Sequence, residues 1–386
     1  MKFDWIIVGA GFTGAVLAER LASQADQQVL IVDRRDHIGG NAYDRYDEHG
    51  VLIHRYGAHI FHTNSRKIWE YVSQFTSWRP YQHTVKAFIE GKLVPVPFNL
   101  NSLASLFPSS MADRLERKLI ERYGFGVKTP ILKMLDEQDP ELKELARYIY
   151  REVFESYTRK QWDLEPAQLD ASVTGRVPVF ISRDDRYFQD VYQGIPARGY
   201  TELFQSLLAH PNIRIMLKTQ AADILPDVQA RNVVFTGPID EYFQYRHGQL
   251  PYRSLSFDFR YEQTSDFQQM SVVNFPNDHL YTRILEFKHF TGQNVPGSTI
   301  AYEYPQPHIL GINEPYYPVP CEANKLIFAK YAAEAKDLNG RVYFAGRLAD
   351  YKYYNMDQAV GRALKLYDEI TQAREVGVSD TPTLAG

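Results

Sequence analysis

The chain opens with Asp4-Trp5-Ile6-Ile7-Val8-Gly9-Ala10-Gly11-Phe12-Thr13-Gly14, an apolar run that ends in glycines with the spacing Gly-x-Gly-x-x-Gly. Residues 15–21 continue with apolar side chains at helical spacing, and Val29-Leu30-Ile31-Val32 then leads directly into Asp33. This order is typical of a strand, a tight turn, a helix and a second strand, with an acid about twenty residues after the glycines.

Each part of this order suits a dinucleotide. Gly9 and Gly11 allow the backbone to turn tightly and to approach a pyrophosphate, and Gly14 allows the helix to pack closely against the strand. The helix N-terminus offers free N–H groups and a partial positive charge to the phosphates. Because the Asp33 carboxylate can accept hydrogen bonds from a ribose diol, the whole segment predicts a dinucleotide-binding domain.

Length and composition restrict the class of protein. A chain of 386 residues exceeds the usual size of a single core, so we expect two or three domains, and an apolar content of 44% suits a soluble protein. The net charge of −4 argues against non-specific nucleic-acid binding, and no apolar stretch approaches the roughly 18 residues of a membrane span. The single cysteine, Cys321, excludes an internal disulfide and fits a reducing compartment, so we expect a cytoplasmic location.

The rest of the chain predicts three parts. Partial alternation from Pro80 to Pro97 indicates two strands, residues 100–165 have helical periodicity, and residues 231–305 read as strands separated by turns. A strand, a glycine and a helix recur between Val342 and Ile370, so the C-terminal part should complete the first domain. We therefore predict an α/β fold with a Rossmann-like domain, an inserted helical bundle and an antiparallel sheet.

The expected domain bounds follow from these patterns. Residues 168–186 lack periodicity and contain proline, glycine and charged residues, so we expect a mobile loop there. The bounds are 1–75, 197–240 and 320–370 for the nucleotide-binding domain, 97–185 for the helical domain, 76–96 and 241–319 for the sheet domain, and 371–386 for a disordered tail.

Several motifs outside the glycine turn carry a specific resemblance. They are Ile38-Gly39-Gly40-Asn41-Ala42-Tyr43, Gly57-Ala58-His59-Ile60-Phe61-His62-Thr63, Phe154-Glu155-Ser156-Tyr157-Thr158-Arg159-Lys160-Gln161-Trp162, Pro315-Tyr316-Tyr317-Pro318-Val319 and Tyr351-Lys352-Tyr353-Tyr354-Asn355-Met356-Asp357. These motifs resemble those of bacterial UDP-galactopyranose mutases, and the resemblance extends from residue 1 to about residue 370.

The resemblance implies a flavoenzyme that is active with reduced FAD. It implies an isomerase that interconverts UDP-galactopyranose and UDP-galactofuranose through a flavin N5–sugar adduct, without net redox, and supplies galactofuranose for cell-surface glycans. It further implies an external reductant such as NAD(P)H and a homo-oligomer. The hard chemistry then belongs to the cofactor, which accounts for a sequence in which no catalytic triad or metal-binding motif stands out.

The resemblance also assigns residues to the substrate. Two arginines, Arg176 and Arg283, match the family's phosphate ligands, and the guanidinium fork suits a diphosphate because it binds bidentately. His62 lies in a segment that reaches the flavin or the sugar, and it completes the implied catalytic set. The implied substrate-binding residues are Phe154, Tyr157, Thr158, Trp162 and Asn274 around the uridine, with Tyr187, Tyr317, Tyr353, Asn355 and His83 near the phosphates and the sugar.

A further set matches the FAD site. Arg347 resembles the family's flavin-side arginine, and a nearby cation would stabilise an anionic reduced flavin. The motif departs from the family at Asn355, where the family has Asp, and this puts in doubt any catalytic role of that carboxylate. The implied cofactor-binding residues are Gly9, Gly11, Phe12, Gly14, Asp33, Arg34, Gly39, Gly40, Asn41, His59, Gly346, Arg347 and Met356.

Two other classes of protein share parts of this pattern. A flavin amine oxidase or desaturase has the same glycine fingerprint, but the set of arginines and tyrosines argues against an apolar substrate. A non-enzymatic binding protein on this fold, as in the Rab GDP-dissociation inhibitors, is disfavoured by the intact glycines and Asp33. A yellow protein that bleaches with dithionite would exclude the binding protein, and turnover of sugar nucleotide only after bleaching would exclude the oxidase.

Overall fold

Strands run through most of the chain in the computed structural model, which describes residues 2–170, 177–224, 228–338 and 340–379. They are β1 (Lys2–Val8), β2 (Val29–Val32), β3 (Asp44–Tyr46), β4 (Leu52–His54), β5 (Phe61–Thr63), β6 (Trp78–Pro80), β7 (Val85–Ile89), β8 (Lys92–Val96), β9 (Lys128–Thr129), β10 (Val179–Phe180), β11 (Tyr192–Pro196), β12 (Ile213–Met216), β13 (Gln229–Phe235), β14 (Tyr252–Glu262), β15 (Val272–Asn274), β16 (Arg283–Glu286), β17 (Ser298–Pro307), β18 (Tyr317–Pro318) and β19 (Val342–Phe344).

Helices fill the segments between these strands. They are α1 (Phe12–Ala25), α2 (Arg66–Val72), α3 (Leu100–Leu106), α4 (Ser109–Tyr123), α5 (Ile131–Met134), α6 (Pro140–Ile149), α7 (Ser156–Trp162), α8 (Tyr200–Leu207), α9 (Ala221–Ile224), α10 (Ile239–Tyr242), α11 (Phe287–Thr291), α12 (Glu322–Asp337) and α13 (Met356–Ser379). None of the described helices is both long enough and apolar enough to span a membrane.

A parallel sheet forms the first domain, as the glycine motif predicted. Its strand order is β12-β2-β1-β13-β19, and every neighbouring pair is parallel. Trp5, Ile7 and Ile31 on the central strands are fully buried, and α1 packs against α13 beside them. The strands from both ends of the chain therefore complete one Rossmann-like domain, and the predicted return of the C-terminal part is confirmed.

The second sheet is mixed, whereas the sequence predicted an antiparallel sheet. Its order is β18-β14-β17-β16-β15-β7-β8. The pair of β15 and β7 is parallel, and all the other neighbouring pairs of this sheet are antiparallel. Only a direct hairpin forces two strands to be antiparallel, and the whole helical region separates β7 from β15 in sequence. The direction of this pair was therefore not readable from local alternation.

The helical region contains one departure from regular α-helix. The amphipathic stretch 141–160 forms α6 and α7, but Tyr150–Glu155 between them is a π-helical turn. Such turns shift the phase of the side chains and occur often at functional sites. Here the turn lies just before Tyr157 and Trp162, which the resemblance assigned to the substrate.

Two predicted irregular segments are partly ordered. The prediction of a disordered tail was wrong for residues 371–379, because α13 continues to Ser379. Gln and Ala near the start of this stretch favour a helix even without apolar periodicity. Within the predicted mobile loop, β10 pairs with β9, and Ile181 is fully buried, so main-chain pairing overrode the weak periodicity. Residues 171–176 of that loop and 380–386 of the tail lie outside the described residues.

Replacing Gly14 by alanine should destabilise the first domain. An added Cβ would lie 2.0 Å from the Gly9 carbonyl oxygen, and backbone cannot move away cheaply. We expect the free energy of unfolding to fall by about 1–3 kcal/mol, the usual cost of overpacking. Thermal melting measures this loss.

A matched control lies in α13. The added Cβ of Gly361→Ala would meet only the flexible tip of Ile68 at 3.2 Å, and alanine favours a helix more than glycine does. This variant should melt at or above the wild-type temperature. A Gly14→Ala variant as stable as Gly361→Ala would contradict the packing argument.

Candidate active site

A large cavity lies at the carboxyl ends of β1, β2 and β13, where open α/β sheets bind their ligands. Its volume is about 480 Å³. The cavity brings together every residue that the sequence assigned to the cofactor: Gly9, Gly11, Phe12, Gly14, Asp33, Arg34, Gly39, Gly40, Asn41, His59, Gly346, Arg347 and Met356 line it.

The glycine turn leaves room for a pyrophosphate. A Cβ on Gly40 would lie 2.9 Å from the Gly11 Cα, so the two backbone segments already touch without side chains. Among the described residues no side chain caps the N-terminus of α1 at Gly11, and its first N–H groups can therefore bind phosphate. The Asp33 Oδ2 accepts a hydrogen bond from the Ala10 N–H at 2.8 Å, which fixes this carboxylate beside the turn. These features fit a dinucleotide.

A strap from the sheet domain crosses the cavity rim. Glu314, just before β18, accepts hydrogen bonds from both Arg34 and Arg35, which follow β2. Burial alone would raise the pKa of the Glu314 carboxyl, but Arg35 and Arg34 outweigh burial and lower it. Arg34 therefore contributes to the cavity rim through an ion pair that joins the two domains.

The other end of the cavity carries a neutral histidine and an arginine. Burial lowers the pKa of His59 to about 3, and its Nδ1 donates to the Gly57 carbonyl at 2.7 Å, so the ring is uncharged at neutral pH. The Arg347 guanidinium donates to the Tyr354 carbonyl through Nε at 3.0 Å and Nη2 at 2.6 Å. These bonds hold a fixed positive charge at the cavity wall.

A smaller cavity, of about 110 Å³, lies between the helical region and the second sheet. The Asn274 Oδ1 is buried there and has no hydrogen-bond partner in the described structure, so it can accept one from a ligand. Burial raises the pKa of Tyr157, whose hydroxyl therefore stays protonated. The predicted residues Phe154, Tyr157, Thr158, Trp162, Tyr187 and Asn274 all line this cavity.

An aromatic wall connects the two cavities. The rings of Tyr317 and Tyr353 stack with centroids 4.8 Å apart, and Trp162 lies 5.8 Å from Tyr353. The Arg347 guanidinium lies 5.3 Å from the Tyr317 ring centroid. Because Trp162 lines the small cavity and Arg347 lines the large one, this wall places the two predicted sites side by side.

A buried ion pair stands next to this wall. Arg283 on β16 is paired in register with Glu303 on β17, and the Arg283 Nε lies 2.8 Å from the Glu303 Oε2. The Glu303 carboxylate is fully buried, whereas the Arg283 side chain is half-buried. Burial opposes the charge on Arg283, yet Glu303 raises its pKa well above the ordinary value. Arg283 is therefore charged and already in place.

Two positioning residues of this site were not found from the sequence. Glu303 looks like an ordinary strand residue until the β16–β17 register is known. Arg253 on β14 is buried and donates to the carbonyls of Lys160 and Gln161, which end α7. It therefore anchors the helix that carries Tyr157, and no sequence motif marked it.

The histidines assigned to the site lie behind it. His62 and His83 are not among the described residues that line either cavity. The His62 ring stacks on Phe188 with centroids 3.6 Å apart, and its Nδ1 lies 3.1 Å from the Asp190 Oδ2. Burial lowers the pKa of His83 to about 3, and its ring packs against Tyr187 and Phe188. Both rings therefore pack against Phe188, whose neighbour in sequence, Tyr187, lines the small cavity.

The two remaining predictions have different outcomes. Asn355 lines the large cavity next to Met356, and its backbone N–H donates to the Gln358 side chain at 2.9 Å. Arg176 lies outside the described residues, so its assignment stays a prediction.

One group of possible metal ligands lies away from both cavities. Asp266, Glu286 and His289 place ligand atoms close together on the second sheet. The Glu286 carboxylate already accepts from the Ser298 hydroxyl and two backbone N–H groups, and the His289 Nε2 lies 2.9 Å from the Gln268 carbonyl. A nitrogen that donates its proton to a carbonyl has no lone pair for a metal. Hydrogen bonds within the protein therefore already occupy these three side chains.

Comparison with known proteins agrees with this geometry. A family model described as UDP-galactopyranose mutase matches residues 152–353, and one described as an NAD(P)-binding Rossmann-like domain matches residues 7–75. Among solved structures, a reduced UDP-galactopyranose mutase superimposes with a TM-score of 0.73 at 17% identity, covering 97% of this chain and 94% of that one. A putrescine oxidase double mutant, at 11% identity and a TM-score of 0.60, covers 96% of this chain and 99% of its own; both likenesses show the fold alone.

Curated relatives are similar along nearly the whole chain. The probable UDP-galactopyranose mutase of Klebsiella pneumoniae is 37% identical over 371 residues, which cover 94% of both chains. The dTDP-fucopyranose mutase of Escherichia coli is 36% identical, over 93% of this chain and 96% of that protein. The UDP-galactopyranose mutase of Mycoplasma genitalium is 33% identical over 94% of both chains. The chain therefore belongs to the UDP-galactopyranose mutase family.

Proposed function

We propose that this protein is an FAD-dependent isomerase that interconverts UDP-galactopyranose and UDP-galactofuranose. The observation that carries the proposal is the placement of Arg283, a charged and half-buried guanidinium beside a wall that connects a dinucleotide cavity to a base-sized cavity. A substrate that joins a base, a diphosphate and a sugar fits this order of features. Membership in the mutase family supports the reaction class.

The large cavity would hold FAD. The N-terminus of α1 and the glycine turn would bind its pyrophosphate, and Asp33 would accept hydrogen bonds from its ribose. Arg347 would place a cation beside the flavin ring, which favours electron-rich, reduced flavin. When bound in the reduced state, the flavin supplies a nucleophilic N5, the chemistry of the adduct that the resemblance implies, and the sugar is isomerised without net redox.

The chain's own residues would bind and orient the sugar nucleotide. Arg283 and the tyrosines of the wall, Tyr317 and Tyr353, would hold the diphosphate while the glycosyl bond breaks and until it forms again. Charge-assisted bonds in a partly closed site are strong enough to retain a leaving group. By the same resemblance Arg176 would add a second arginine from the segment 168–186, which would close over the substrate.

The setting of the reaction belongs to the same proposal. We infer an enzyme of the cytoplasm that works as a homo-oligomer and supplies galactofuranose for cell-surface glycans. An external reductant such as NAD(P)H would keep the flavin reduced, and none would be consumed per turnover.

Direct assay tests the reaction. Dithionite-reduced holoenzyme incubated with UDP-galactofuranose should yield UDP-galactopyranose, detected by chromatography, and oxidised enzyme should yield almost none. NAD(P)H followed by absorbance should not fall in proportion to the sugar converted. Stoichiometric NAD(P)H oxidation, or equal turnover by oxidised enzyme, would refute the proposal.

Arg283→Ala should reduce kcat/KM by roughly ten- to a hundredfold, since a charge-assisted bond to phosphate contributes about 1.5–3 kcal/mol. FAD should stay bound. Arg283→Lys should recover only part of the loss because lysine lacks the bidentate fork. Steady-state kinetics of the reduced enzyme measure both variants.

Arg260→Ala on β14 of the same sheet is the matched control. The Arg260 side chain is 52% exposed and pairs with Asp258 on the same strand, so turnover should stay near wild type. If Arg283→Ala turns over as fast as this control, Arg283 does not hold the diphosphate.

Glu303→Gln should make UDP a stronger stabiliser of the protein. Removing one partner of a buried ion pair leaves the Arg283 charge uncompensated and lowers the melting temperature of the free protein. UDP would then be the main counter-charge, so the UDP-induced rise in melting temperature should exceed that of wild type. The exposed Glu48→Gln is the control, and an unchanged or smaller UDP effect in Glu303→Gln would disprove the coupling.

A further inference from the structure

The small cavity has the size of a single aromatic ring. Its volume is about 110 Å³, and an apolar protein cavity of about 150 Å³ is known to bind benzene. Because this cavity is smaller than that one, a purine would require a larger movement of the walls than a single-ring base would. The volume therefore favours a pyrimidine over a purine.

Asn274 selects among pyrimidines. Its Oδ1 is a buried acceptor that finds no donor within the described part of the chain. Uracil and thymine both carry a proton on N3 and can donate to this oxygen, whereas neutral cytosine has a lone pair at N3. An acceptor facing an acceptor leaves a buried group unpaired, which is costly.

The wall beside Asn274 is aliphatic and contains small side chains. Asn274 on β15 is paired in register with Ala87 on β7, and both line the cavity. Val96 and Val153 line it as well, and all three aliphatic side chains are buried. A methyl group on the base would meet carbon atoms there and leave no polar group unpaired.

We propose that this base site takes 5-methyluracil as readily as uracil, so that the enzyme isomerises dTDP-linked as well as UDP-linked hexopyranoses. The inference rests on the proposed function, since it extends the substrate class of the same site. The 36% identical relative named dTDP-fucopyranose mutase supports it. In this structure the argument stands on the Ala87–Asn274 pair and on the aliphatic lining beside it.

A series of nucleoside diphosphates isolates the contribution of the base to the binding affinity. Calorimetric titration of the oxidised holoenzyme should compare UDP, the ribonucleotide 5-methyl-UDP and CDP, which share ribose and diphosphate. We expect 5-methyl-UDP to bind between equally and about fourfold more tightly than UDP, the gain of burying one methyl group. CDP should bind at least tenfold more weakly. A loss of more than threefold for 5-methyl-UDP, or equal binding of CDP, overturns the proposal.

Ala87→Val fills the wall next to Asn274. The two added methyl groups should weaken the binding of 5-methyl-UDP at least fivefold more than the binding of UDP, because the larger base would be overpacked against them. The ratio of the two affinities is internal to each protein and is therefore insensitive to partial unfolding. Ala301→Val is the matched control: Ala301 is fully buried on β17 of the same sheet, and its ratio should equal that of wild type. An unchanged ratio in Ala87→Val overturns the assignment of the wall.

Turnover separates this inference from the proposed function. Reduced holoenzyme should convert both UDP-galactopyranose and dTDP-galactopyranose into products that chromatography resolves. Conversion of the UDP sugar alone overturns the inference and leaves the proposed function standing. Binding of both nucleotides without conversion of either sugar overturns the proposed function and leaves the base selectivity intact.

Discussion

An ion pair between a half-buried arginine and a fully buried carboxylate is the constraint on which the candidate site depends. The Glu303 carboxylate lies within the protein, where an unpaired charge costs several kcal/mol, and Arg283 on the neighbouring strand offsets that cost. The register of β16 on β17 brings the two groups together. The contact uses the Nε of a guanidinium that has five N–H donors, so the arginine keeps hydrogen-bonding capacity for a second anion. A diphosphate is such an anion, and it would bind there without any movement of the sheet.

The rest of the architecture places beside that ion pair the two cavities that we propose for a base and a flavin. The aromatic wall draws Trp162 from α7, Tyr317 from β18 and Tyr353 from the segment before α13, so all three parts of the chain contribute to it. Arg253 fixes the end of α7, and Glu314 ties the strap before β18 to the first domain. These contacts tie the elements that line the two cavities to each other. In the proposed reaction the substrate would lose and regain its nucleotide, and such positioning would favour the return.

Local chemistry made part of this structure readable from the sequence. The glycine turn is a backbone requirement within one short segment, and the cofactor cavity contains every residue assigned to it. The small cavity brings together Phe154, Tyr157 and Trp162, which the resemblance assigned to the uridine and which helical spacing alone does not mark as a base site. Glu303 could not be found in this way, because its partner is set by strand register and not by spacing. The same holds for the parallel pair of β7 and β15, which long-range packing decides.

The departure at Asn355 acquires a physical meaning from the charges around it. Near the aromatic wall, Arg283 and Arg347 are cations, Glu303 is the carboxylate that opposes Arg283, and burial keeps His59 neutral. Arg347 donates to backbone carbonyls within the described residues, so its charge can face an anion in the large cavity. An aspartate at position 355, on the wall of the same cavity, would add a negative charge there, whereas asparagine adds none. In a partly buried site the Coulomb energy of one added carboxylate is substantial. Asn355 therefore adds no negative charge against Arg347 from this position, which favours an anionic nucleotide in the cavity that both residues line.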